Sequence, residues 1–258
     1  MTGQLVSGDG RSGDHRHSQP LSRADVCVAA CADLFADDGE ILASPMGLIP
    51  SLGARLARLT SAPDLLLSDG EATLLRPDGE PEGWLPFRQV FDVVAYGRRH
   101  VVMGANQVDR YGNQNISCIG PHARPVRQLL GMRGAPGNTV NHRTSYWVPR
   151  HSARVLVEAV DVVSGVGHDR ARAGGLRFHD VYRVVTNLAV FDFETPDGAI
   201  RLRSVHPGVE PAEVTAQTGF AVRTDDVPVT RTPSAAELEL LYTVLDPDGR
   251  REKEVPTP

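Results

Sequence analysis

Apolar positions between residues 22 and 40, "SRADVCVAACADLFADDGE", fall at Val26, Ala29, Ala30, Leu34 and Phe35. That spacing predicts a helix. Ser22 is a candidate N-cap, with Asp25 three residues on as a weak capping box, and Gly39 is a candidate stop. "EILASP" predicts a short strand, and Leu52, Leu56 and Leu59 put one apolar side on a helix in "LIPSLGARLARLT". "PDLLLS" and "EATLL" predict strands, and "PDGEPEGWLP" (77–86) a loop. "FRQVFDVVAYG" predicts a helix stopped by Gly97, and "HVVMGANQVD" a strand that runs into a turn at "RYGN".

The second half of the chain alternates less. "GMRGAPGNTVNH" (131–142) predicts a glycine-rich loop. "ARVLVEAVDVVSG", "VYRVVTNLAVFDF" and "GAIRLRSVH" are rich in β-branched residues and predict strands, and "PAEVTAQTG" predicts a short helix. Helices and strands alternating first, then strands, predict an α/β fold: an open, largely parallel sheet flanked by helices, with a β-rich C-terminal region. Residues 1–20, Gly/Ser/Asp/His-rich and without an apolar h-region, predict a disordered tail rather than a signal peptide. Residues 21–245 predict one domain and residues 246–258 a C-terminal tail.

Composition narrows the function. In 258 residues, 41% are apolar and 5% aromatic, which gives an aliphatic core of useful size. The net charge of -5 and the scattered basic residues exclude a nucleic-acid face, and no apolar run is long enough to span a bilayer. Cys27, Cys31 and Cys118 make an odd, low count, which suits a reducing cytoplasm. Cys27 and Cys31 share a helix face as a buried pair, with no further ligands spaced for a metal. His142, His151, His168 and His179 read as surface or structural residues. "GVGHDR" at 165 starts like a dinucleotide fingerprint, but Arg170 holds its last glycine position and no helix of small residues is predicted after it. There is no G-x-S-x-G and no P-loop.

The stretch "GANQVDRYGNQN" (104–115) packs two glycines and several carboxamides at the end of a predicted strand, where sites on open α/β sheets form. With "GMRGAPGN", "VVTNLAVFDF" and "HPGVEPAEVTAQTGF" in that order, the chain from about 21 to 225 resembles the beta subunits of family I CoA-transferases, glutaconate CoA-transferase in style. The resemblance implies an alpha subunit of similar fold, an α2β2 assembly and an active site at the seam. Such transferases carry a catalytic glutamate in a short "E-S-G" turn; the matching "SDGEATLL" puts Ser68 there, and Asp69 or Glu71 would serve only after a register shift.

"DGEATLL", "EGWLPF", "YGRRHVVMGANQVDRYGNQNIS", "RGAPGNTVNH" and "TSYWVP" resemble more narrowly an actinobacterial steroid-degrading branch. There the fold is put to hydrolytic carbon–carbon ring opening of a CoA thioester. The resemblance implies a general base in the partner and no cofactor beyond the CoA of the substrate. Candidate catalytic residues are Arg133, Asn106 and Gly134; candidate substrate-binding residues are Gln107, Arg133 and Asn138. A guanidinium in a glycine-rich loop offers a fork of donors, a backbone amide such as that of Gly134 suits an oxyanion hole, and a carboxamide donates without titrating. Asp109, Tyr111 and Asn113 read as turn and interface residues, Arg98 and Arg99 as a solvated pair at a helix end, and Trp84 and Trp147 as loop residues for a partner.

Overall fold

A computed structural model describes residues 20–255; the predicted N-terminal tail, through residue 19, lies outside the described residues. Nine strands form one mixed sheet. In chain order they are β1 (Leu42–Pro45), β2 (Leu66–Ser68), β3 (Thr73–Leu75), β4 (Pro81–Trp84) and β5 (Arg99–Gly104), then, after two small ribbons, β10 (Arg143–Val148), β11 (Asp180–Thr186), β12 (Ala189–Asp192) and β13 (Arg201–Val205). The ribbons pair β6 (Gln107–Val108) with β7 (Gln114–Asn115), and β8 (Cys118–Ile119) with β9 (Arg127–Gln128). Across the sheet the order is β13-β12-β11-β10-β5-β1-β2-β3-β4. The five central strands, β11 through β2, are parallel, and the two at each edge are antiparallel.

Parallel strands need cover on both faces, so they read as continuous apolar runs. Val101, Val102 and Met103 of β5 and Tyr146, Trp147 and Val148 of β10 are all buried. From β1 the chain moves to β2 on one side; from β5 it moves to β10 and β11 on the other. The crevice between the carboxyl ends of β1 and β5 is therefore the switch point, where open α/β sheets bind ligands.

Helix α1 (Arg23–Ala32) starts on the predicted cap: the Ser22 hydroxyl accepts from the Asp25 amide, and the Asp25 carboxylate accepts from the Ser22 amide. Cys27 and Cys31 are both buried, Cys31 against α2 (Leu48–Leu59) and Cys27 beside the Thr186 carbonyl and His206. The two helices touch so closely that a Cβ on Gly53 would lie 2.6 Å from that of Cys31, which is why α2 carries a glycine in mid-helix. Further along, α3 (Phe87–Tyr96) ends at Gly97 as its pattern predicts. The four histidines are structural: His142 bonds the Val94 carbonyl, His151 sits between Thr186 and Thr218, His168 bonds the Val181 carbonyl and His179 the Thr139 carbonyl.

Several predictions from pattern are corrected. The loop at 77–86 contains β4, an edge strand whose first residue is Pro81, a position that needs no ladder N–H. The glycine-rich loop ends early, because Ala135–Asn141 is helix α4 with Pro136 in its first turn. Residues 153–165, despite their valines, form no strand; isolated bridges Val108↔Leu156 and Gln114↔Gly165 pin them against the first ribbon. A short helix does follow "GVG", α5 (His168–Gly174), but its His168, Asp169, Arg170 and Arg172 are not the small residues of a dinucleotide fingerprint, as expected. After α6 (Pro211–Ala216), α7 (Ala235–Leu240) runs on into a π-helical turn that no apolar spacing announced.

The predicted C-terminal tail is packed as far as residue 255. Helix α8 (Arg251–Glu254) inserts Arg251, whose Nε donates to Asp25 Oδ1 at 2.7 Å and whose Nη1 donates to Asp246 Oδ2 at 3.0 Å, all three side chains buried. Arg251→Ala should destabilise the protein by about 3–5 kcal/mol, because it strands two buried carboxylates. Chemical denaturation of the purified protein measures this, and a loss under about 1 kcal/mol would show that the clamp is not what holds the C-terminus.

Candidate active site

A cleft of about 870 Å³ opens at the switch point. The turns after β1, β2 and β5 bring Met46, Asp69 and Asn106 to it, and the start of α4 brings Gly134. One wall is apolar, formed by Phe87, Val90 and Val94 of α3. A second cleft, of about 680 Å³, lies by β13 among several arginines. There Arg201 and Arg203 bond Asp192 and Glu194, and Arg231 bonds Asp33 and Glu237, so their charge is already consumed.

Of the residues predicted from sequence, Asn106, Arg133, Gly134 and Asn138 line the larger cleft. Asn106 is exposed there, its carboxamide without a partner among the described residues. Arg133 sits in the left-handed region at φ 48, a conformation unusual for a side-chain-bearing residue, and donates to Glu71 Oε1 at 3.1 Å across the cleft mouth. Strain of this kind is typical of functional loops. Gly134 is the N-cap of α4, and its amide has no acceptor among the described residues.

Gln107 does not join them. Its carboxamide is buried, accepting from Asn115 Nδ2 at 2.7 Å and from the Asp161 amide at 3.0 Å while donating to Asp161 Oδ2. The rest of the motif is scaffold too. Gln114 donates to the Gly104 carbonyl at 2.6 Å, and Asp109 gathers the Tyr111 and Asn113 amides and the Asn113 carboxamide. The carboxamides at 104–115 thus hold the end of β5 in place, and only Asn106 faces the cleft.

The position in the turn after β2 that matches the transferase glutamate, Ser68, offers no free nucleophile. Ser68 is buried, its hydroxyl donating to the Ala43 carbonyl at 2.9 Å and accepting from the Gly70 amide. Asp69 Oδ1 accepts from the amides of Glu71, Ala72 and Thr73. Burial raises its pKa, but these donors outweigh that and hold the carboxyl below its ordinary range. Glu71 reaches the mouth and is tied to Arg133.

Three features escaped the sequence reading. Arg99, expected in solvent, is buried beneath α3 and α4, donates to Asn138 Oδ1 and is pushed down to about 10 by that burial. Asn138 in turn donates to Met103 Sδ at 3.3 Å. Trp147 lies inside β10, not in a loop, and donates to Glu254 Oε1 at 2.6 Å; the other oxygen of Glu254 accepts from the Ile49 amide at the start of α2, so the C-terminal helix supplies the cleft floor. Finally, α3 buries none of its residues: Phe87, Phe91 and Tyr96 are exposed, beside Trp84 on β4.

No protein-family model matches the chain. It is 56% identical over 246 residues to the cholesterol ring-cleaving hydrolase IpdB subunit of Mycobacterium tuberculosis H37Rv, an alignment covering 91% of this chain and 98% of the relative. It is 32% identical over 236 residues to the B subunit of the 3-oxoadipate CoA-transferase of Pseudomonas knackmussii, covering 84% and 90% of the two chains. The crystal structure of Rhodococcus jostii RHA1 IpdAB superposes with a TM-score of 0.87 at 53% identity, over 93% of this chain and 100% of that one. The chain belongs to the family of CoA-transferase beta subunits and, within it, with the IpdB subunits.

Proposed function

We propose that this chain is the beta subunit of a heteromeric CoA-transferase-fold hydrolase that opens a carbocyclic ring of a steroid-derived CoA thioester. The observation that carries the reading is the turn after β2, where the transferase nucleophile is replaced by a buried, hydrogen-bonded Ser68 while donors still ring the cleft. The names of the relatives, a cholesterol ring-cleaving hydrolase subunit and IpdAB, agree with it.

In this reading water adds to a ring carbonyl and forms a tetrahedral oxyanion. Collapse breaks the adjacent carbon–carbon bond, leaving a carboxylic acid on one side and an enolate on the other, and a proton completes the enolate. The sum is substrate plus one water, and CoA stays on the product. The chain supplies charge stabilisation: the Gly134 amide and the Asn106 carboxamide donate to carbonyl oxygen, and Arg133 faces the developing negative charge. A guanidinium does not serve as a general base, so in this reading the general base is a carboxylate from the partner. No cofactor is used beyond the CoA of the substrate.

The exposed apolar stripe of α3 supports an alpha subunit of similar fold seated on that wall, in an α2β2 heterotetramer. Three free, buried cysteines support a cytoplasmic location. No helix among the described residues is long and apolar enough to cross a membrane.

The purified pair, incubated with steroid-derived CoA thioesters in 18O-water, should give a ring-opened product that keeps CoA and carries the label in a new carboxylate. Mass spectrometry reads this. Transfer of CoA to an acceptor acid, with borohydride trapping an adduct on Glu71, would instead establish a transferase.

Arg133→Ala should lose on the order of 100-fold or more in kcat/KM, and Arg133→Lys should recover little, since a point charge does not replace a planar fork. Arg133→Gly should lose similar activity yet match or exceed the wild-type Tm, because glycine adopts a positive φ without strain; near-wild-type turnover in these variants would reduce Arg133 to a rim residue. Ser68→Ala should lose less than about tenfold, an unactivated buried hydroxyl being a poor nucleophile. A loss of several thousandfold with an acyl-serine adduct would refute that assignment.

A further inference from the structure

We infer that Arg99 is a buried carboxylate subsite: it binds a second, anionic group on the acyl part of the CoA thioester, one helical turn from the Gly134 amide. The inference rests on the functional reading above for the thioester and on separate geometry for the anion.

Two arginines among the described residues are buried almost equally, Arg251 at 4% exposure and Arg99 at 5%. Arg251 meets two carboxylates. Arg99 meets none among the described residues: its one hydrogen bond goes to the neutral Asn138 side chain, and its buried Nε–H has no acceptor. His142, nearby, offers no negative charge, and burial together with the Arg99 charge lowers its pKa. A buried guanidinium with no anion beside it is destabilising. Such a charge is tolerable where a ligand anion completes it, and the planar fork of arginine suits a carboxylate.

The approach to Arg99 has the matching character. Positions 99, 101 and 103 share one face of β5, and that face is covered by α3 and α4, which pack so tightly that a Cβ on Gly137 would lie 2.8 Å from Val94 Cγ1. Val90, Val94 and Met103 line the cleft on the way to Arg99. An apolar acyl body fits this passage, and a charged end meets the guanidinium. Asn138, which holds Arg99, stands four residues after Gly134 in α4, a rise of about 6 Å. A thioester oxygen at Gly134 and a carboxylate at Arg99 are thus separated by roughly 6–10 Å, the reach of a short dicarboxylic acyl chain.

Calorimetric titration of the assembled heteromer with glutaryl-CoA and pentanoyl-CoA, matched in length and differing in the terminal carboxylate, tests this. The wild type should bind glutaryl-CoA at least about tenfold more tightly, as a charge-assisted pair in a dry site requires. Arg99→Met should abolish the preference while leaving pentanoyl-CoA within about threefold of wild type, and Arg99→Lys should keep part of it. A merely structural Arg99 would weaken both ligands alike, which overturns the inference. So would equal affinities in the wild type, a result that needs no variant to fold, or a preference that survives Arg99→Met and is lost in Arg133→Met. Binding without turnover is measured, so failure of the ring-opening assay would be distinguishable from failure here.

Discussion

The side-by-side placement of β1 and β5, with the chain leaving them in opposite directions, is the constraint on which the rest of the structure depends. Because both strands are parallel and their chains leave in opposite directions, their carboxyl ends leave a crevice that no crossover connection covers. Everything assigned to the site is a consequence of which loops leave that edge. Met46 follows β1, Asp69 to Glu71 follow β2, Asn106 follows β5, and α4 drops onto the face beside them. A one-residue slip of β5 would turn Met103 and Arg99 to the opposite face and erase the cleft wall.

Holding that edge still is the work of buried amides. The backbone beyond Gly104 does not continue the sheet but folds into two short ribbons, whose polar groups have to be satisfied away from water. Gln107, Asn113, Gln114 and Asn115 do this with side-chain bonds to Asp161, Asp109, the Gly104 carbonyl and the Cys118 carbonyl. Carboxamides held by hydrogen bonds are rigid, so the segment most loaded with polar side chains is a framework, and the one carboxamide it leaves without a side-chain bond among the described residues, Asn106, gains its significance from that contrast.

The sequence made the fold legible wherever local pattern and local partners coincide. The capped α1, the heptad-like spacing of α2, the helix from Phe87 stopped at Gly97 and the apolar run of β5 all carry their explanation within a few residues. It failed where the partner is distant. "REKEVPTP" is charge-dense and looks unstructured until Asp25, 226 positions away, is seen to receive Arg251. Arg99 beside Arg98 looks like a solvated pair until α4 is known to be a helix that lies over it. The placement of Arg133, Gly134, Asn106 and Asn138 at the cleft was readable because glycine-rich turns and carboxamides at strand ends are local signals. Gln107 was misassigned because alternation along a strand does not say which carboxamide is already bonded.

In the proposed reading a second polypeptide completes the site, and its charges have to stay quiet until that partner and the substrate arrive. The rim is arranged that way. Arg133 rests on Glu71, Asp69 is tied to its own loop amides, and Glu254 is held between Trp147 and the start of α2. The Arg133–Glu71 pair is exposed, so exchanging Glu71 for a substrate anion forfeits at most about 1 kcal/mol. Arg99 breaks the pattern. Its charge is out of water, no carboxylate of this chain reaches it among the described residues, and an exposed apolar helix stands over it waiting to be covered. Covering α3 lowers the local dielectric further and raises the cost of leaving Arg99 unpaired. If the partner seats on α3 and an anion binds Arg99, as proposed above, assembly and anion binding act in the same direction, with the exposed stripe of α3 and the buried guanidinium of Arg99 as the two ends of that coupling.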